Sequence, residues 1–278
     1  MSPSPSLLPQ VPLGSTDIHI SRVGLGTVKL GRNQGVKYPT SFSLPTDAEA
    51  LDLLAHARQL GINLIDTAPA YGTSEERLGE FLLGQRHEWI ICSKAGEEFE
   101  QGESSYNFSP KHIKHSVERS LRRLKTDYLD IVLLHSDGND LEAIEQGGLD
   151  ALAQLKSEGL IRSFGMSTKT VGGGIAAAKQ SDCVMATYNL ATQDEKLVLD
   201  YCAEHGKGVL LKKVLASGHI THQATANLTS GETQDNPLQA SMDFVFKHPG
   251  VSAAIIGTIN PAHVAENVAA AIQACANK

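Results

Sequence analysis

Eight short apolar runs rich in β-branched residues recur along the chain, at residues 23–27, 63–66, 89–93, 131–135, 163–166, 184–188, 209–212 and 253–256. Longer segments with apolar residues three and four apart lie between them, among them 48–60, 111–124, 149–157, 193–205 and 261–275. That spacing is the mark of an amphipathic helix, whereas a short run apolar on both faces is a strand buried between two layers. Such strands alternating with helices imply a parallel sheet. Eight units in 278 residues fit an α/β fold, a single-domain (β/α)8 TIM barrel, which takes about 250 residues. No linker-like break supports two domains instead. A tail rich in Ser and Pro is expected at 1–12 and the barrel at 13–278.

Local signals agree with this division. Thr46 with Glu49 three residues on reads as a capping box, and Ser109 followed by Pro110 reads as a side-chain cap with proline at the first helical position. The stretches 31–45 and 217–236 are long for barrel connections, which points to functional loops.

The charge balance narrows the partner class. With 24 Lys+Arg against 31 Asp+Glu, the net charge is −7, which argues against nucleic acid, whose binders carry a basic excess. No apolar run approaches the roughly 18 residues of a membrane span, and the first ten residues lack signal-peptide character, so a cytoplasmic protein is expected, with a monomer as the expected state though nothing in the sequence fixes it. Cys92, Cys183, Cys202 and Cys275 stand singly and are expected to be reduced. His112 with His115 and His219 with His222 lack neighbouring acidic or thiolate ligands, so no metal site is expected. Gly24-Leu-Gly26 lacks the third glycine of a dinucleotide fingerprint, and Gly172-Gly173-Gly174 lacks the Lys-Ser/Thr of a P-loop and reads as a flexible helix start.

In a barrel the active site lies where the strands end. Asp66, Lys94 and His135 each follow an apolar run, and Tyr71 stands five residues beyond Asp66. A buried charge must be paired, and Asp66 and Lys94 on adjacent strands can pair. The four together suit carbonyl reduction. A tyrosine hydroxyl, with an ordinary pKa of about 10, becomes a usable acid when an ammonium held by a carboxylate stabilises its anion. A neutral His135 would orient the carbonyl and stabilise developing charge on its oxygen. By themselves Asp66 and Lys94 also read as a structural ion pair, Ser167 and Thr168 as a helix cap, and Lys212 and Lys213 as solvated lysines.

The stretch Gly61-Ile-Asn-Leu-Ile-Asp66-Thr-Ala-Pro-Ala-Tyr71-Gly72-Thr-Ser-Glu75-Glu-Arg-Leu-Gly79 resembles one signature of the aldo-keto reductases. Ser120-Leu-Arg-Arg-Leu-Lys-Thr-Asp127-Tyr128-Leu-Asp130-Ile-Val-Leu-Leu-His135 resembles a second. The likeness runs from about Leu13 to Ala269 and implies the same barrel. It also implies an NADPH-dependent oxidoreductase, with NADH as the alternative, acting on a small-molecule carbonyl or sugar through Asp66, Tyr71, Lys94 and His135. Further positions follow from the resemblance alone. Gly26 and Thr27 would let the cofactor lie against the backbone, and Ser167-Thr168 stands where the family binds the nicotinamide carboxamide with Ser-Asn. Met185 replaces a usual Gln. Lys212-Lys213-Val214-Leu215 replaces Tyr-Ser-Pro-Leu before Ser217 and Gly218, so the aromatic that stacks on nicotinamide is a lysine here. One of the two lysines would face the mouth and meet the pyrophosphate. In Gly257-Thr258-Ile-Asn260-Pro-Ala-His263-Val-Ala-Glu266-Asn267, Thr258 and Asn260 would meet a 2′-phosphate. Glu266 and Asn267 would meet adenine, and His263 stands where NADPH-selective members often place Arg.

Two competing functions remain at this level: a barrel lyase forming a Schiff base at Lys94, and a non-catalytic NADPH-sensing subunit. Substrate identity would rest on the loops 31–45, 97–109 and 217–236.

Overall fold

A computed structural model describes residues 8–36, 38, 41–216 and 236–277. The chain begins with two short strands, β1 (Gln10–Pro12) and β2 (His19–Ser21), paired antiparallel. Then come β3 (Val23–Gly26), β4 (Leu64–Asp66) and β5 (Ile90–Ala95), and after them a hairpin of β6 (Glu97–Glu100) and β7 (Glu103–Tyr106). The remaining strands are β8 (Leu129–His135), β9 (Ile161–Ser167), β10 (Cys183–Thr187), β11 (Gly208–Lys212) and β12 (Ala253–Ile256). Strands β3, β4, β5 and β8 to β12 close into one parallel barrel, with β12 hydrogen-bonded to β3. The eight strands are those expected from the apolar runs, and the α/β barrel is the fold.

Both hairpins escape the periodicity argument because their strands, Gln-Val-Pro, His-Ile-Ser, Glu-Glu-Phe-Glu and Glu-Ser-Ser-Tyr, carry no continuous apolar run. The first runs through residues placed in the tail: Leu8 is buried and Gln10–Pro12 is a strand, so ordered packing starts before residue 13. It closes the amino-terminal end of the barrel, where Ser21 N donates to Asn63 Oδ1 at 2.7 Å and Ser15 N to Gly206 O at 2.8 Å. Leu13, Ile18 and Ile20 join Leu64, Cys92, Ile131, Leu133, Met185 and Leu210 in the barrel interior.

Alternation along the strands explains where the polar ends face. Successive side chains point to opposite sides. In β8, Ile131 and Leu133 belong to the interior cluster, while Val132 and Leu134 pack beneath the helices. Two residues beyond an interior residue is again an interior position. Leu64 therefore puts Asp66 on the axis side, Cys92 does so for Lys94, Leu133 for His135 and Leu210 for Lys212. Lys213 falls on the other phase; it is exposed and has a positive φ of 56°.

Of the two helix starts read from local signals, one is capped by its side chain. Thr46 Oγ1 accepts from Glu49 N at 3.3 Å and Glu49 Oε2 accepts from Thr46 N at 2.8 Å, the reciprocal box expected for the helix Asp47–Gln59. Ser109 makes no side-chain cap on the helix Pro110–Arg123; its hydroxyl donates to Asn107 Oδ1 at 2.7 Å. Thr170 caps the helix Val171–Gln180 by accepting from Gly173 N at 3.1 Å. The glycine run there serves close packing, since a Cβ on Gly173 would overlap the Asp140 side chain. Among the described residues no helix is long and apolar enough to cross a membrane.

Candidate active site

Asp66 ends β4 and Lys94 lies near the end of β5, both buried. Lys94 Nζ donates to Asp66 Oδ1 at 2.6 Å and to Thr67 O at 2.9 Å. Burial alone would push the lysine toward its neutral form; Asp66, with Tyr71 and Cys92 beside it, outweighs burial, so the ammonium is held above its ordinary pKa. Tyr71 sits in the turn after β4, where its N–H donates to Ala68 O at 3.0 Å and its carbonyl accepts from Ser74 N at 3.2 Å. The Lys94 ammonium lies 4.6 Å from the Tyr71 ring centroid. Lys94 does favour the tyrosinate, as expected. Desolvation is the larger effect, however, and the net shift is upward, so the phenol is held in its protonated form. The expectation of a lowered tyrosine pKa is corrected on this point: sequence identifies the neighbouring charge but not the solvent that folding removes.

His135 ends β8, its ring edge-on to Tyr71 with centroids 6.4 Å apart. Burial holds its pKa below the usual imidazole value. Glu97, the first residue of β6, brings Oε2 to 2.7 Å from His135 Nδ1. The contact opposes burial by favouring a proton on the ring. Glu97 Oε1 accepts from Ser104 Oγ at 2.7 Å and lies 3.9 Å from Arg32 Nη1. Burial would raise the Glu97 pKa, but His135, Ser104 and Arg32 together hold it down to about 2. Arg32 is itself fixed, donating to Ala70 O at 3.0 Å and Gln34 O at 2.8 Å and lying 3.3 Å from the Phe99 ring centroid. Glu97 and Arg32 are the site residues that sequence reasoning missed. The only signal was their place in loops marked for function.

Across the barrel, Ser167 and Lys212 end β9 and β11. Lys212 Nζ donates to Ser167 Oγ at 3.0 Å and Thr168 O at 2.5 Å. Burial lowers the Lys212 pKa to about 8, with Glu195 opposing the shift and Lys213 and Lys169 adding to it. Glu195 Oε1 accepts from Thr168 Oγ1 at 3.2 Å and Oε2 from Thr187 N at 2.7 Å. Of the two lysines, Lys212 is the one turned to the mouth. Met185 is buried in the barrel interior, Val214 is buried and Leu215 half-buried, and Lys213 contributes its carbonyl to Asn189 Nδ2 at 2.8 Å. Ser217 and Gly218 lie outside the described residues.

Thr27, fully buried, donates to Asp66 O at 2.9 Å and accepts from Ser74 Oγ at 2.8 Å, tying the end of β3 to the Asp66 strand beside Gly26. At the last strand end Gly257 is exposed, and Thr258 Oγ1 accepts from Asn260 N at 3.1 Å. Asn260 caps the helix Pro261–Ala276, which carries His263 and Glu266 exposed on its first turns. Asn267 is buried; its Nδ2 donates to His263 O at 2.6 Å, and its Oδ1 has no partner among the described residues. No cluster of three metal-ligating side chains occurs among the described residues.

The chain can thus offer a protonated phenol, an ammonium and an imidazole around one barrel mouth, and a second polar group of residues beside them. Comparison with known proteins places this arrangement. Residues 22–241 match the model of the aldo/keto reductase family. A solved structure described as a putative aldo-keto reductase from Pseudomonas aeruginosa is 52% identical with a TM-score of 0.84, covering 95% of this chain and 94% of that one. The uncharacterized oxidoreductase YqkF of Bacillus subtilis is 29% identical over 93% of this chain and 90% of its own. The NADH-specific methylglyoxal reductase of Escherichia coli is 30% identical over 82% of this chain and 73% of its own. With the barrel, the rim residues and these matches in agreement, the chain belongs to the aldo/keto reductase family of oxidoreductases.

Proposed function

We propose that the protein reduces a small aldehyde or ketone with NAD(P)H, and runs in reverse on an alcohol or aldose, with Tyr71 as the acid and base. The observation that carries this reading is the placement of a protonated Tyr71 beside the Lys94–Asp66 pair and His135 on one mouth. Bound NAD(P)H supplies the hydride. Tyr71 gives its proton to the carbonyl oxygen, and Lys94, fixed by Asp66 and Thr67, stabilises the tyrosinate left behind. His135 holds the oxygen as negative charge develops on it. In the reverse direction the tyrosinate takes the hydroxyl proton.

The residues present fit the cofactor. Asn267 Oδ1, buried and without a partner among the described residues, suits the exocyclic amino group of adenine. Lys212 supplies a cation to a polyanionic ligand in a chain of net charge −7, and Ser167 and Thr168 beside it are polar groups suited to a carboxamide. Gly26, Thr27, Gly257, Thr258 and Asn260 would line the path between the two ends, with His263 and Glu266 at the adenosine end. The Schiff-base alternative needs a neutral amine, and the Asp66 contact favours charged Lys94.

Purified protein mixed with NADPH or NADH and a panel including methylglyoxal, other aldehydes, quinones and aldoses should show cofactor oxidation or reduction. Cofactor binding without turnover on any of them would favour the sensing alternative, and a borohydride-trapped adduct at Lys94 would favour the lyase.

A further inference from the structure

Glu97 changes what His135 can do. A neutral imidazole carries one ring proton and offers one donor and one acceptor. To donate to a carbonyl oxygen from Nε2, a neutral His135 must leave Nδ1 bare, and a bare Nδ1 would face a carboxylate oxygen 2.7 Å away. Two lone pairs at that distance repel, whereas a proton on Nδ1 is attracted even where the alignment is imperfect. Glu97 is an anion fixed in place, buried and held by Ser104 Oγ at 2.7 Å, with Arg32 at 3.9 Å. Tyr106 on β7 also feels its charge. The other charged groups that act on His135 are the cations Lys94 and Lys212, which oppose its protonation, and Tyr71 adjoins it as a neutral phenol.

We infer that Glu97 is a positioning residue that keeps the proton of neutral His135 on Nδ1, so that His135 donates to a substrate oxygen only as the imidazolium and otherwise accepts from a substrate hydroxyl. This rests on the reductase reading above. Reduction then draws on the doubly protonated ring, which supplies both the Nδ1–H toward Glu97 and the Nε2–H toward the carbonyl. Alcohol oxidation is the reverse of the same step and passes through the same doubly protonated ring, whose Nε2–H holds the oxygen while the Tyr71 anion takes the hydroxyl proton. Both directions therefore need the protonated ring, and they differ only in whether Tyr71 starts with its proton. Glu97 thereby sets the pH up to which His135 can hold a substrate oxygen.

The test uses the full-length protein without cofactor as well as the turning-over enzyme. Long-range proton–nitrogen spectra of ring-labelled histidine, with the His135 signal assigned by its loss in His135→Gln, report tautomer and titration directly. The neutral ring is expected to carry its proton on Nδ1. In Glu97→Gln, His135 should titrate about one pH unit lower or more, since an opposite charge in contact is removed. The alkaline limb of kcat/KM for reduction should move down by the same amount, with NADPH affinity unchanged. Glu97→Asp, which keeps the charge, should fall between the two. An Nε2–H tautomer in the parent protein overturns the inference, and so does a Glu97→Gln profile that superposes on the parent. If no carbonyl is reduced at all, the reductase reading fails on its own, while the spectra still decide whether Glu97 controls the His135 proton.

Discussion

Replacing Asp66 with Leu, Lys94 with Met, and then both together separates the stability of the central ion pair from its chemistry. Two unit charges 2.6 Å apart attract by roughly 6 kcal/mol at an effective dielectric of about 20. Removing both from water costs several kcal/mol per ion, so the pair contributes little net stability. Deleting one partner leaves the other buried and unpaired, a loss of about 3–5 kcal/mol. Each single variant should therefore melt roughly 10 °C below the parent. The double variant has no orphaned charge; its loss should be confined to the Thr67 carbonyl that no longer receives Lys94 Nζ, about 1–3 kcal/mol. Urea unfolding of the four proteins closes the cycle, and a double variant losing as much as the two singles summed would refute the reasoning. Turnover should be lost in all three variants, because the folded double variant still lacks the ammonium that stabilises the Tyr71 anion.

Three further outcomes are expected. Tyr71→Phe should cut turnover by about 10²- to 10⁴-fold while NADPH affinity, measured by quenching of intrinsic fluorescence, stays the same. Near-normal turnover would remove Tyr71 from the acid role. NADPH binding should weaken as pH rises through about 8, because Lys212 loses its charge there, and Lys212→Met should bind weakly with no such pH dependence. An unchanged pH dependence in that variant would take Lys212 out of the cofactor site. Asn267→Leu should weaken NADPH binding about tenfold through loss of one hydrogen bond, and leave binding of nicotinamide mononucleotide, which has no adenine, unaltered.

The strand ends were legible because a strand has period two and a barrel has one inside. Asp66, Lys94 and His135 each close a run whose preceding residues are apolar, and the axis-facing phase is set by Leu64, Cys92 and Leu133. The same phase selects Lys212 over Lys213. The capping box at Thr46 was legible because it is local, spanning three residues. Ser109 followed by Pro110 gave the same local signal, yet its oxygen accepts from no helix N–H. The hairpins β1–β2 and β6–β7 left no trace because their strands are mostly polar and carry no apolar run.

What the sequence by itself determined was the barrel, the four residues at its mouth, and an excess of negative charge that must be offset locally wherever a polyanion binds. The tertiary structure alone decided the protonation of those residues. The Tyr71 phenol is held up by desolvation that outweighs the ammonium beside it, Lys94 is held charged by Asp66 together with its other neighbours, and Glu97 reaches His135 because β5 and β8 pair in register just before both residues. Hydrophobic phase is carried by neighbours along the chain and can be read there. Solvent exclusion and the meeting of distant charges depend on what the rest of the chain brings around each atom, and they exist only once it has folded.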